Sequence, residues 1–205
     1  LGVTYTVAGY FMARHYAAFR RNFPGVTLEL SEQPRAAIEQ GLVTGDLDLA
    51  VMLTSNLANE AELEAETLFR SLRRLWLPSE HPLLLQEEIT LADVAREPFI
   101  MLTVDEASHT AGRYWNIVGL APNVVFTTSS VEAVRSMVAA GMGVTILSDM
   151  VYRPWSLEGQ RLEQRSLKEP IPTMDVGLTW ARGRQLGDAA RVFRTFLTQT
   201  LGRGD

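Results

Sequence analysis

The feature that most limits what this chain can become is its rhythm. Short apolar runs alternate with segments of helical period, and the alternation happens twice over. Residues 1–5 (LGVTY) open as a short strand. Met12, Tyr16, Phe19 and Phe23 then recur at i, i+4, i+7 and i+11, which predicts an amphipathic helix. Pro24-Gly25 stops it, since proline cannot continue a helix and glycine accepts the turn. VTLEL at 26–30 alternates like a strand, and Pro34 suits the first turn of a second helix, where its absent N–H is not needed. Ile38 and Leu42 mark that helix's buried side and Gly45 ends it. LDLAVML at 47–53 is nearly continuously apolar, as a parallel strand covered on both faces should be. This is βαβαβ, and a parallel sheet with right-handed crossovers is its economical topology.

The second half repeats the pattern. LRRLWLP (72–78) reads as a strand, and Thr90 with Asp93 has the spacing of a capping box for a short helix ended by Pro98. FIMLTV (99–104) is a strand, followed by a helix with Ala111, Tyr114, Trp115 and Val118 on one face. VVFTT (124–128) is another strand. Ser129 and Glu132 form a second capping box, before a helix carrying Val131, Val134 and Val138 and closed by Gly141. GVTILS (143–148) follows as a strand. The tail supplies strands near 161–168 and 175–181, then a helix with Phe193, Phe196 and Leu197 facing inward. No flexible linker or low-complexity tract divides the halves, so crossing strands are expected to join them.

Composition narrows the function. With no cysteine among 205 residues, disulfides, thiolate metal sites and cysteine nucleophiles are excluded. A formal charge of −5 argues against this chain gripping a phosphate backbone, which takes clustered positive charge. No apolar run is long enough to span a bilayer, and the start lacks the basic and apolar segments of a signal peptide. The chain opens at Leu1, without methionine, and reads as a fragment or processed chain.

In an open parallel sheet, ligands bind beyond the carboxyl ends of the strands. Here those loops are Thr4-Tyr5-Thr6, Gln33-Pro34-Arg35, Thr103-Val104-Asp105 and Thr128-Ser129-Ser130. They are rich in small hydroxyls, and helix N-termini attract anions. Helix capping is the simpler account of any single Ser or Thr among these; the convergence of several loops is what points to a ligand.

Four stretches then carry a resemblance to a known family. LGVTYTVAGYFMARHYAAFRRNFPGVTLEL resembles the first strand, long helix, turn and second strand of the effector-binding domain of LysR-type transcriptional regulators. GDLDLAV (45–51), SEHPL (79–83) and VRSMVAAGMGVTILSD (134–149) are similar to that family's later motifs in order and spacing. The resemblance implies an α/β fold of two Rossmann-like subdomains joined by two crossover strands, the type 2 periplasmic binding protein fold. One subdomain would be 1–73 plus 176–205 and the other 74–175. A winged helix-turn-helix DNA-binding domain and a linker helix would precede Leu1. The implied function is a cytoplasmic bacterial sensor in which a small effector, anionic by the argument above, sits in the cleft between subdomains and controls transcription. DNA would be touched only by the N-terminal domain. No cofactor, metal, membrane or catalysis is implied, and the partners are the effector and other copies of the chain, as homodimer or homotetramer. Self-association would use the exposed side of residues 7–23. Effector contacts map onto Thr6, Pro34, Arg35, Leu102, Thr103, Ser129 and Ser130. Where some relatives carry a small hydroxyl in the second loop, this chain has Arg35, either a bidentate carboxylate clamp or a side chain turned to solvent.

Other motifs carry less. Gly141-Met142-Gly143 follows a helix and precedes a strand, the reverse of a dinucleotide fingerprint. His15, His81 and His109 have no ligand spacing, and no nucleophile elbow or Ser/His/Asp set has motif support. Glu60, Glu62, Glu64 and Glu66 read as a solvated acidic segment with Leu63 facing inward. Arg73-Arg74 and Arg182-Gly183-Arg184 fall near the inferred crossovers, where ion pairs are expected. Of four tryptophans, Trp155 is the one read as other than a core or interface anchor. A periplasmic solute-binding protein of an uptake transporter shares the fold and is the alternative reading.

Overall fold

The computed structural model of the protein describes residues 1–201. The chain divides into two units, Leu1–Ser71 with the segment from Met174 onward, and Leu72–Thr173.

The first unit opens with β1 (Gly2–Val3) and a continuous helix built of α1 (Tyr5–Val7), a π-helical turn at Ala8–Met12 and α2 (Ala13–Asn22). Its buried line is Val7, Phe11, Met12, His15 and Phe19. The expected line through Tyr16 is therefore corrected. The wide turn carries an extra residue, so His15 faces the core and the half-buried Tyr16 donates its hydroxyl to the Leu28 carbonyl at 3.2 Å. The strand expected at 26–30 is also corrected: β2 is Ser31–Glu32. Pairing with β1 starts at Gly2 opposite Ser31, so the alternation upstream of Ser31 meets no ladder. Pro34 sits at the N-cap of α3 (Arg35–Thr44), one position before the first helical residue, with Gly45 at φ 89° beyond the end, as its left-handed backbone requires. β3 (Ala50–Leu53) is buried throughout.

β4 (Leu63–Ser71) corrects the reading of the glutamate run as merely solvated. Leu63 does face inward, and Glu66 lies on the strand, where it accepts from Arg194 Nε at 2.8 Å and Thr198 Oγ1 at 2.9 Å. Exposed positions on an edge strand tolerate alternating charge, which hid the strand.

In the second unit, β5 (Arg73–Pro78) precedes α4 (Leu91–Val94), which carries the expected reciprocal capping box of Thr90 and Asp93. β6 (Pro98–Leu102), α5 (Ala107–Ile117), β7 (Asn123–Thr128), α6 (Val131–Ala139), β8 (Thr145–Ser148) and β9 (Leu162–Arg165) complete it. β6 and β7 pair in parallel, while β5 lies antiparallel to both β8 and β9. Val144 bridges the two groups, donating to the Pro98 carbonyl at 2.8 Å and accepting from Ile100 at 2.9 Å. The core includes Leu75, Leu77, Phe99, Tyr114, Trp115 and Ile146. The capping box expected at Ser129 is corrected by one residue. Ser130 is the N-cap and accepts from the Ala133 amide, while Glu132 pairs with Arg135.

The chain then returns to the first unit as β10 (Met174–Ala181) and α7 (Asp188–Leu201). The sheet order there is β2-β1-β3-β10-β4, parallel among the first three and antiparallel on either side of β10. Gly177 stands at a bulge against β4, where a Cβ would come within 2.3 Å of the Glu66 carbonyl oxygen. Phe193 packs edge-on to Phe19 at 5.0 Å, fastening α7 to α2.

The arginines near the passages do make the expected contacts. Arg74 pairs with Asp149 at 3.0 Å and Arg70 with Asp175 at 3.3 Å, while Arg73 donates to the Thr173 carbonyl at 2.7 Å. Arg182 closes the turn before β4 by donating to the carbonyls of Glu60, Ala61 and Leu63.

Candidate functional site

Parallel strands release their loops on one edge, and each unit has such neighbouring strands. In the first unit β1 and β2 run side by side, so the segments starting at Thr4 and at Gln33 leave the same edge; the Gln33 amide donates to the Val3 carbonyl at 3.0 Å. Thr4 is the N-cap of the long first helix, yet its side chain makes no cap hydrogen bond. It is 2% exposed and its Oγ1 has no hydrogen-bond partner, although buried hydroxyls are ordinarily satisfied. Thr6 is buried in the first turn of that helix. Beyond Thr4 stand the first amides of an 18-residue helical run (residues 5–22), N–H groups of the kind that suit an acceptor.

Arg35 opens α3 beside this edge. Its guanidinium donates to Glu39 Oε1 at 3.0 Å, and the same oxygen accepts the Ala58 amide at 3.0 Å. Glu39 is thereby anchored to the loop after β3 and holds Arg35 along the helix flank, with that side chain 22% exposed. The clamp and solvent readings thus meet a third arrangement, a guanidinium oriented by its own helix.

In the second unit β6 and β7 form the pair, with Leu102 opposite Thr128. Leu102 itself is buried, while Thr103 and Ser129 are exposed. The two loops are stitched together at their base. Thr103 donates to the Thr128 carbonyl from its amide at 2.9 Å and from its hydroxyl at 3.3 Å, and the Ser130 amide donates to Thr128 Oγ1 at 3.1 Å. Asp105 and Glu106 follow with φ of 50° and 56°, consecutive left-handed residues that lead into α5. Such conformations cost free energy in residues with a Cβ and cluster at ligand-contacting segments.

The structure accordingly brings Thr6, Pro34 and Arg35 to one strand edge, and Leu102, Thr103, Ser129 and Ser130 to another. Sequence reasoning flagged the loop of Thr4 but not Thr4 as a contact residue, since an unpartnered buried hydroxyl is visible only after folding. The strained pair at 105–106 had little sequence signal, because aspartate only tolerates positive φ and glutamate does not favour it. His109 is exposed on α5. Trp155 is 55% exposed, with the Arg161 guanidinium 5.9 Å from its ring centroid. Among the described residues, no group of three or more His, Asp or Glu is placed to hold a metal ion, and no helix is long and apolar enough to cross a membrane.

Comparison with known proteins agrees with this geometry. The sequence model of the LysR substrate binding domain matches residues 1–202. The HTH-type transcriptional regulator YybE of Bacillus subtilis is 26% identical over 201 residues, covering 96% of this chain and 66% of its own length, so the chain spans just under two thirds of that relative. The crystal structure of HinK, a LysR family transcriptional regulator from Pseudomonas aeruginosa, superposes with a TM-score of 0.88 at 29% identity, covering 100% of this chain and 69% of that one. The effector binding domain of QuiR, solved in complex with shikimate, shares the fold at a TM-score of 0.79 and 18% identity, covering 98% of this chain and 95% of that one. Two α/β units and a family match across the whole described chain make this a member of the LysR substrate binding domain family, with the type 2 periplasmic-binding-protein-like fold.

Proposed function

We propose that the chain is the effector-sensing part of a cytoplasmic LysR-type regulator, and that its effector presents an anionic group to the loops built around Thr6, Pro34 and Arg35 and around Leu102, Thr103, Ser129 and Ser130. The observation that carries this is the pair of loops leaving each parallel strand edge, at Thr4 and Gln33 in one unit and at Thr103 and Ser129 in the other, which lead into helix N-termini. Arg35 opens α3 at the first edge with its guanidinium paired to Glu39, and Ser130 caps α6 at the second. The role is binding rather than catalysis, since no nucleophile–base pair accompanies the loops among the described residues. The effector acts on transcription by favouring one arrangement of the full-length regulator over another, which requires that the arrangements differ in affinity for it. DNA contact belongs to a helix-turn-helix domain outside this chain, whose own charge is −5.

A thermal-shift screen of small carboxylates, aromatic acids and amino acids tests the reading. A ligand at 100 times its Kd stabilises the protein by about 2.7 kcal/mol, well within detection. Thr6→Ala, Arg35→Ala and Ser129→Ala should each weaken a hit. Unchanged affinity in all three would overturn the assignment.

A further inference from the structure

Arg135 lies on α6, below the Ser129–Ser130 loop, and is only 3% exposed, a rare position for a cation unless it is paired. Its guanidinium reaches three elements. Nη1 donates to Glu132 in the first turn of the same helix. Nη2 donates to the Val151 carbonyl at 2.6 Å. The group also lies 5.9 Å from the ring centroid of Trp76 on β5.

Each of these partners is fixed in turn. Val151 belongs to the turn after β8, where the Val151 amide donates to the Ser148 carbonyl at 3.2 Å and the Met150 amide to Ser148 Oγ at 3.1 Å. Trp76 is fully buried and met edge-on by Tyr152 at 5.4 Å, and the Tyr152 hydroxyl donates to the Leu162 carbonyl at 2.8 Å. One side chain thus ties the opening turns of α6 to β5 and to the turn beyond β8.

There is a consequence for charge as well. Glu132 sits among the first amides of α6, the groups an anion at Ser129 and Ser130 would approach. An uncompensated carboxylate there would both compete for those amides and repel an anionic ligand. Arg135 neutralises it.

We infer that Arg135 is a positioning residue for the effector loop: it fixes the N-terminus of α6 and neutralises Glu132, so that Ser129 and Ser130 meet a ligand with donors. This rests on the effector reading above, and its test has one arm that needs no ligand.

In that arm, amide hydrogen exchange is followed in the wild type, Arg135→Lys, Arg135→Met and Glu132→Gln. Arg135→Met should speed exchange of the hydrogen-bonded amides of Ala133 and Val134 about tenfold, with α5 and α7 unchanged, because bonds to a charged group are being lost. Arg135→Lys should fall in between, since an ammonium cannot reproduce the fork, and Glu132→Gln should keep its protection through Val151 and Trp76. Unchanged exchange at Ala133 and Val134, or equal acceleration everywhere, would make Arg135 an ordinary core residue and overturn the inference. If Arg135→Met does not fold, Arg135→Lys decides by the same criterion. In the second arm, benzoate and shikimate are titrated as probes. For a probe that binds, Kd should rise about tenfold in Arg135→Met and recover in part in Glu132→Gln/Arg135→Met. An unchanged Kd overturns the role assigned to Arg135. Failure of the wild type to bind any small acid counts against the effector reading, and exchange alone then decides Arg135.

Discussion

His15, noted in the sequence only for lacking metal-ligand spacing, lies in the core at 3% exposure. The π-helical turn rotates it into the core, with its ring 4.3 Å from that of Phe11 and its Nε2 3.3 Å from Arg14 Nη2. Burial holds its pKa below the ordinary value near 6.5, and the Arg14 charge pushes the same way. A histidine with a depressed folded pKa contributes stability that is complete above about pH 6.5 and lost as pH falls towards the folded value, because the unfolded chain takes up the proton first. Melting temperature should therefore decline from pH 7 to pH 5 in the wild type, and decline less steeply in His15→Gln. Parallel curves would show that carboxylates carry the whole acid response. Thr4 teaches the same lesson about legibility. Its type and place in the chain are plain in the sequence, but the burial of its side chain at the start of the helix exists only once the chain has folded.

At the scale of the element, punctuation was readable and pairing was not. Gly45, Gly119 and Gly141 end helices with positive φ, and the Thr90–Asp93 box forms as its spacing requires, because caps and C-terminal glycines act within a few residues. β2 lay a few residues from its expected place because register depends on where β1 begins, a contact about 29 residues away in sequence. α5 shows the limit most sharply. Its N-cap is Glu106 in a left-handed conformation, without a side-chain cap. Such a conformation costs roughly 1–2 kcal/mol in a residue with a Cβ, and glycine would remove most of that at an unfolded-state cost of roughly 0.5–1 kcal/mol. Glu106→Gly should raise the melting temperature by about 2 °C in a chain of this size. A fall would show that contacts of the Glu106 side chain outweigh its backbone strain. If Glu106→Gly is also found to weaken ligand binding, the strained backbone helps to hold the loop for its effector.

For the molecule as a whole, the repeated βαβ order was enough to specify an α/β fold, since so few topologies satisfy short right-handed crossovers. The strand 124–128 was recognised as a strand, but its environment was not, because an apolar run reads alike whether buried or at an edge. In the structure β7 pairs with β6 alone and leaves Val124, Val125 and Phe126 exposed, Val125 at 54%. A row of exposed apolar side chains on an unpaired edge invites association and is ordinarily blunted by charge or proline. Residues 7–23 expose Gly9, Ala13 and Ala17 at four-residue spacing, small enough for another chain to approach closely. We propose that copies of the chain associate through these two surfaces. Sedimentation equilibrium at micromolar concentrations should then find a dimer or larger species, and Val125→Asp/Phe126→Glu should give a monomer with unchanged melting behaviour at low concentration. Ala17→Glu should do the same independently. A monomeric wild type refutes the reading outright. Dimers that survive both substitutions would move the interface elsewhere without touching the fold.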